Sequence, residues 1–146
     1  MPEDACPLPT NPSGRQAEIV RRLLAGKRIA IVGLSDDPSR PSYGVASYLL
    51  SVGKEIIPIN PNHARVMGLN CYPSLEAVPG PIDVVDVFRR PEHCADVVRS
   101  AVAVGAKGVW LQSGIVSAEA ERVAREAGID FVQDRCIKVD HMFGGR

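Results

Sequence analysis

The first thing this sequence lacks is an excess of either charge: 17 Lys and Arg stand against 17 Asp and Glu. No long-range positive field is there to recruit nucleic acid or an anionic membrane, so any anionic ligand must be held by local geometry. No stretch approaches the roughly 20 apolar residues that cross a bilayer. The opening fifteen residues hold four prolines and no apolar run, so no export segment is read there. The four cysteines, Cys6, Cys71, Cys94 and Cys136, form no CxxC pair. Reduced thiols in the cytoplasm are the expectation.

Recognisable catalytic machinery is missing too. There is no GKS or GKT for a phosphate-wrapping P-loop and no GxSxG around Ser113. His63, His93 and His141 stand apart, and the Cys136 to His141 spacing has no second pair to complete a metal site. Asp83, Asp86, Asp130 and Asp134 are spread over strands and strand ends with no general acid/base pairing. A dehydrogenase would also need a region to hold substrate against its cofactor. A binding module, not an enzyme, is the expectation.

What is present is an ordinary globular composition, 45% hydrophobic and 23% charged, in a length that suits one domain with its own core. Residues 1–14 read as a flexible arm and 15–146 as a single domain. "RQAEIVRRLLAG" places Ile19, Val20, Leu23 and Leu24 on one side of a helix that Gly26 stops. "KRIAIVG", "KEIIPIN", "IDVVDVF", "AKGVWLQSG" and "IDFVQD" read as five strands. Pro58 in the second belongs at an edge or near a strand end.

Between them lie a helix on Val45, Tyr48, Leu49 and Val52 and another on Val97, Val98, Ala101 and Val102. A third helix is capped by Ser117 and stopped by Gly128. The stretch from Pro61 to Pro81 reads as loop, with a short strand near Cys71 and a helical turn over Ser74 to Ala77. "CIKVD" reads as a turn or an edge strand.

Strands alternating with helices make βαβ units, whose right-handed crossovers force a parallel sheet with helices on both faces. The expectation is a Rossmann-like three-layer αβα sandwich. Its mainly parallel five-stranded sheet takes the order 3-2-1-4-5, with strands numbered along the chain. The ligand crevice of such a sheet lies outside the carboxyl ends of the strands, at the topological switch.

The residues at those ends are informative. After the first strand, Gly33 is followed by Ser35 and Pro38 where GxGxxG would need glycine. A longer loop, "SDDPSRPSYG", leads into a helix near Ser42 or Tyr43, and Ser42 is a candidate cap. Phosphate still suits the open N–H groups of such a helix start, and Arg40 adds a bidentate guanidinium. Alternatively Arg40 only offsets Asp36 and Asp37. After the second strand, "NPNHAR" offers Asn60, Pro61, His63 and Arg65, without the acid that receives the ribose hydroxyls of NAD. That leaves NADP and coenzyme A open, both of which carry a phosphate on the ribose for His63 and Arg65 to face. Asn60-Pro61 otherwise just shapes the strand exit. After the third strand, Phe88 lines the crevice or fills core, and Arg89 and Arg90 contact phosphate or stay solvated. Pro91 and Glu92 open the next helix. Gln112, Ser113 and Gly114 close the same edge.

Together, "IAIVGLSDDPSRPSYGV", "INPN", "FRRP", "WLQSG" and "DRCIK", in this order, resemble the small bacterial CoA-binding proteins of the YccU type. The resemblance runs over about residues 15 to 141. That family is in turn similar to the CoA-binding amino-terminal domain of the succinyl-CoA synthetase alpha subunit. The resemblance implies coenzyme A as the ligand. It also implies that Gly33, Ser35, Arg40, Pro41 and Ser42 (with Tyr43 beside them) cradle its phosphates, and that Asn60, Pro61 and Phe88 meet the adenosine half. The larger ligase has a lysine after the second strand, where this chain has His63 and Arg65. The ligase's phosphorylated histidine lies in a region outside the match, so ligase activity is not implied.

The expected function is binding of CoA or an acyl-CoA. The alternatives are an NADP-linked oxidoreductase or redox sensor using Cys136, and an interaction protein with a vestigial crevice. No nucleic-acid or membrane partner is expected, and the helices show no continuous apolar face that would favour more than a monomer.

Overall fold

The computed structural model describes residues 14–144. The arm read over residues 1–14 lies outside them except for Gly14, which opens helix α1 (Gly14–Leu24). The chain continues through β1 (Arg28–Val32), α2 (Pro41–Ser51), β2 (Glu55–Ile59), a small hairpin of β3 (Arg65–Val66) and β4 (Leu69–Asn70), and a 3-10 turn (Leu75–Ala77). Then come β5 (Val84–Val87), α3 (Pro91–Ala103), β6 (Gly108–Leu111), α4 (Ala118–Ala127), β7 (Asp130–Val132) and α5 (Ile137–Phe143).

The main sheet is parallel throughout, in the order β2-β1-β5-β6-β7. The αβα sandwich is as expected, but the strand order is a correction. Counting only the five sheet strands it is 2-1-3-4-5, not 3-2-1-4-5. The reason lies in the connection after β2. It carries a hairpin and a 3-10 turn, and its Leu75 and Ile82 pack on the sheet face opposite α2. A right-handed path on that face carries the chain back across β1, so β5 pairs with β1 on its far side. Direction therefore reverses at β1, and the switch point lies between the carboxyl ends of β1 and β5.

Strand alternation builds two cores. Ile29 and Ile31 of β1 face α1, α2 and α5 with Leu23, Val45, Leu49, Trp110 and Ile137. Ala30 and Val32 face the other way, toward Val98 and Ala101 of α3 and Ala120 and Ala124 of α4. Pro58 is tolerated because β2 is an edge strand. Its carbonyl points outward and accepts from the Tyr72 N–H at 3.0 Å, so the missing N–H faces the same outer side and costs no bond to β1.

Several local expectations hold. Val20, Leu23 and Leu24 are buried on α1, Pro91 takes the first position of α3, and the Ala120 N–H donates to Ser117 Oγ at 3.0 Å. Three need correction. Ser42 does not cap α2: Arg40 occupies the cap and Pro41 the first turn, a place where proline loses no bond. The buried stripe of α3 is Cys94, Ala95, Val98 and Ala101, while Val102 is 40% exposed. The tail is the helix α5, not a turn or strand. It is fixed by the Ile137 N–H donating to Gln112 Oε1 at 3.1 Å and by the Arg135–Asp140 ion pair at 2.6 Å.

One core residue breaks the apolar pattern. Asp86, in β5 between Ile31 and Trp110, is fully buried, and among the described residues neither carboxyl oxygen has a hydrogen-bond partner. Burial alone pushes its pKa well above the ordinary value. A raised folded-state pKa means that the native state holds the proton more tightly than the unfolded chain does. Stability is then lost as pH rises from the unfolded carboxyl range toward the folded pKa. Asp86→Asn should remove that part of the slope and raise the melting temperature at neutral pH. Thermal melts of both proteins across pH 4 to 8 check this; parallel slopes would contradict it.

Candidate functional site

Gly33 leaves β1 at φ 88°, a left-handed conformation that side chains resist. A Cβ there would lie 2.6 Å from the Phe88 carbonyl oxygen. The position thus needs glycine twice over, for its torsion and for the close approach of the β1 and β5 exits. The Phe88 N–H donates to the Val32 carbonyl at 2.9 Å and the Gly33 N–H to Ile59 at 3.0 Å. These bonds fix three strand ends around one glycine.

The loop that follows is self-supporting. The Ser35 N–H donates to Ser42 Oγ at 3.0 Å, and the Asp37 N–H to Ser35 Oγ at 3.0 Å. The Ser39 N–H and hydroxyl donate to Asp37 Oδ1 at 2.9 and 2.8 Å. The Ser39 bonds hold the Asp37 carboxyl below its ordinary pKa. Asp36 Oδ1 accepts from the Met67 N–H at 2.9 Å, tying the loop to the β3–β4 hairpin. Both acids are thereby spent on the fold. Among the described residues neither forms an ion pair with Arg40.

Two cavities open beside this loop. The larger, about 580 Å³, lies at the switch point between the starts of α2 and α3, walled by Gly33, Ser35, Arg40, Ser42, Phe88 and Gln112, among others. Three guanidiniums line it, those of Arg40, Arg89 and Arg90, and two helices begin there with proline in the first turn. Helix starts and unpaired guanidiniums both favour negative charge. Ser113 Oγ, also on this wall, is buried and has no hydrogen-bond partner among the described residues. The smaller cavity, about 260 Å³, has an apolar floor of Val32, Ile59, Pro61 and Leu75. Its polar rim includes Glu76, His93 and Asp96.

Of the residues expected at the site, Gly33, Ser35, Arg40, Pro41, Ser42, Phe88 and Arg89 line the larger cavity. Pro61 lines the smaller one, which shares Arg89. Asn60, His63, Arg65 and Tyr43 line neither. Asn60 shapes the strand exit, accepting from the Asn62 N–H at 2.9 Å and donating to the Leu34 carbonyl at 3.4 Å. The Arg65 guanidinium donates to Asn70 Oδ1 at 3.0 Å and to the Gly68 carbonyl within its own hairpin. The smaller cavity was missed from the sequence. Its signal was there: His93, Asp96, Val97 and Ser100 recur at helical spacing on one face of α3.

A doubly wound α/β domain whose switch point is a cationic, helix-flanked crevice belongs to the class of Rossmann-like nucleotide-binding folds. Within that class the chain belongs to the CoA binding domain family, whose model matches residues 27–142. It is 43% identical to the uncharacterized protein YneT of Bacillus subtilis, over 90% of this chain and 96% of that one. A hypothetical protein from Pyrococcus horikoshii OT3 superposes with a TM-score of 0.84 at 38% identity, over 92% of this chain and 96% of that chain. An ADP-forming acetate–CoA ligase of Archaeoglobus fulgidus is 28% identical over 72% of this chain. The match spans only 16% of that ligase. Among the described residues no helix is long and apolar enough to cross a membrane, and no group of three or more His, Cys, Asp or Glu is placed to hold a metal ion.

Gly33→Ala should cost about 2–4 kcal/mol, from the positive φ and from the clash with the Phe88 carbonyl. Urea denaturation measures it. A loss below 0.5 kcal/mol, taken as roughly the scatter of surface substitutions, would contradict the close approach.

Proposed function

We propose that the larger cavity binds coenzyme A or an acyl-CoA by its diphosphate, and that the chain serves as a CoA-binding module. The observation that carries this reading is the set of unpaired arginines gathered with two helix starts around one cavity at the switch point. Family membership and the resemblance to YccU-type proteins support coenzyme A over the nicotinamide dinucleotides, and the lack of an acid after β2 counts against NAD.

In this reading Arg40 and the Ser42 N–H meet the diphosphate. The adenine enters the smaller cavity, whose apolar floor suits its faces and whose polar rim suits its edge. The pantetheine arm runs toward Gln112, Ser113 and Ile115, where the unpartnered Ser113 hydroxyl finds a partner in an amide of the arm. The redox-sensor alternative gains nothing from the geometry, since Cys136 is 4% exposed.

Titration calorimetry with CoA, dephospho-CoA, NADP and NAD is the test, with CoA expected to bind most tightly. Preference for NADP, or no heat with CoA up to millimolar concentration, would overturn the reading. Arg40→Ala should weaken CoA and dephospho-CoA by the same amount, about 1.5–3 kcal/mol for a charge-assisted contact before solvent screening. It should also flatten the salt dependence. An unchanged affinity would remove Arg40 from the site.

A further inference from the structure

The two cavities meet at one side chain. Arg89 lines both, and its Cδ lies only 3.3 Å from where a Gly33 Cβ would stand. Its stem therefore crosses the glycine turn, and glycine at that turn is what leaves room for it. Arg89 is half-buried, yet among the described residues it has neither a carboxylate partner nor any hydrogen bond to its guanidinium. An arginine so placed, with no such partner, leaves its planar fork of donors available to an anion.

Its neighbours are placed otherwise. Arg40 lines the larger cavity alone, Arg90 is exposed at that cavity's wall, and Arg65 is committed to Asn70 and Gly68. Exposed His63 lines neither cavity. Charge also changes sign along the groove. The larger cavity holds three arginines, while the rim of the smaller holds Glu76 and Asp96, the latter paired with Arg99 at 2.7 Å. A nucleotide lying across both must carry the joint between its base and its diphosphate past Arg89. That joint is the ribose.

We propose that Arg89 is the residue that reads a phosphate carried on the ribose, and that it thereby separates coenzyme A from dephospho-CoA. The assignment rests on the CoA reading above. A phosphomonoester on that sugar is disfavoured toward Glu76 on one side and drawn to the guanidinium on the other. The planar fork of arginine takes two of its oxygens at once. The hairpin residues His63 and Arg65, where the sequence pattern had pointed, have no part in this contact.

The test is the ratio of dissociation constants for dephospho-CoA and CoA, measured by calorimetry on the full chain. Wild type should favour CoA about 10- to 100-fold, the span of a charge-assisted contact. Arg89→Met should bring the ratio near one, because CoA loses the phosphomonoester contact that dephospho-CoA never makes. Arg65→Ala should keep the wild-type ratio. Should Arg89→Met not fold, Arg89→Gln carries the same readout, with its ratio falling several-fold. A wild-type ratio near one, or an unchanged ratio in the Arg89 variant, overturns the assignment, as does a ratio that collapses in Arg65→Ala. None of these outcomes resembles failure of the CoA reading itself, in which wild type would bind neither ligand.

Discussion

The contact on which the rest of the site depends is the approach of two strand ends at Gly33, where the Phe88 carbonyl stands in the space a side chain would occupy. That approach closes the back of the switch point, so the crevice has a floor of backbone in place of side chains. The serine-rich loop can then turn outward and deliver Pro41 to the start of α2. The same approach brings Arg89 over the turn and sets α3 beginning beside α2. One residue without a side chain thus positions two helices, one loop and the central guanidinium.

The layering, the helices α1 to α4 and the CoA-binding family were legible in the sequence because each leaves a local trace. Strand alternation in "RIAIV" survives as opposite faces for Ile31 and Ala30, and Ser117 signals its helix by chemistry alone. The strand order was not legible. Both candidate orders share the same sequence of elements, and the choice is made by which face Leu75 and Ile82 cover, a long-range packing outcome. The α5 helix was likewise hidden. Seven residues are too few for helical periodicity to speak, and what fixes them is tertiary: Gln112 across the chain and the Arg135–Asp140 pair. At the site, the residue types that suit phosphate near the glycine turn do line the larger cavity. The same types on the β3–β4 hairpin turned out to be holding the hairpin, because a side chain's nearest acceptor is invisible in one dimension.

Charge in this protein is organised at short range. The two loop acids accept from the Ser39 and Met67 backbone, and among the described residues nearby Arg40 forms no ion pair. A chain with no net charge still presents a concentrated positive crevice in this way. The acids that balance it elsewhere are largely tied into ion pairs such as Arg22–Asp130, Arg28–Glu55 and Lys107–Asp83. Exposed pairs of this kind add little to stability.

The placement of Pro58 bears on how the molecule behaves in company. An edge strand with open N–H and C=O groups is a template on which other chains aggregate. Here the β2 edge has a proline as the fourth of its five residues, and the backbone of Tyr72 covers the strand's carboxyl end, accepting from the Asn60 N–H and donating to the Pro58 carbonyl. The opposite edge, β7, is three residues long and carries Asp130 bound to Arg22. Neither border invites strand addition. The sheet is finished at both sides, so self-association, where it occurs, is left to the helical faces, and the folded protein is guarded against the edge-to-edge stacking that leads to fibres.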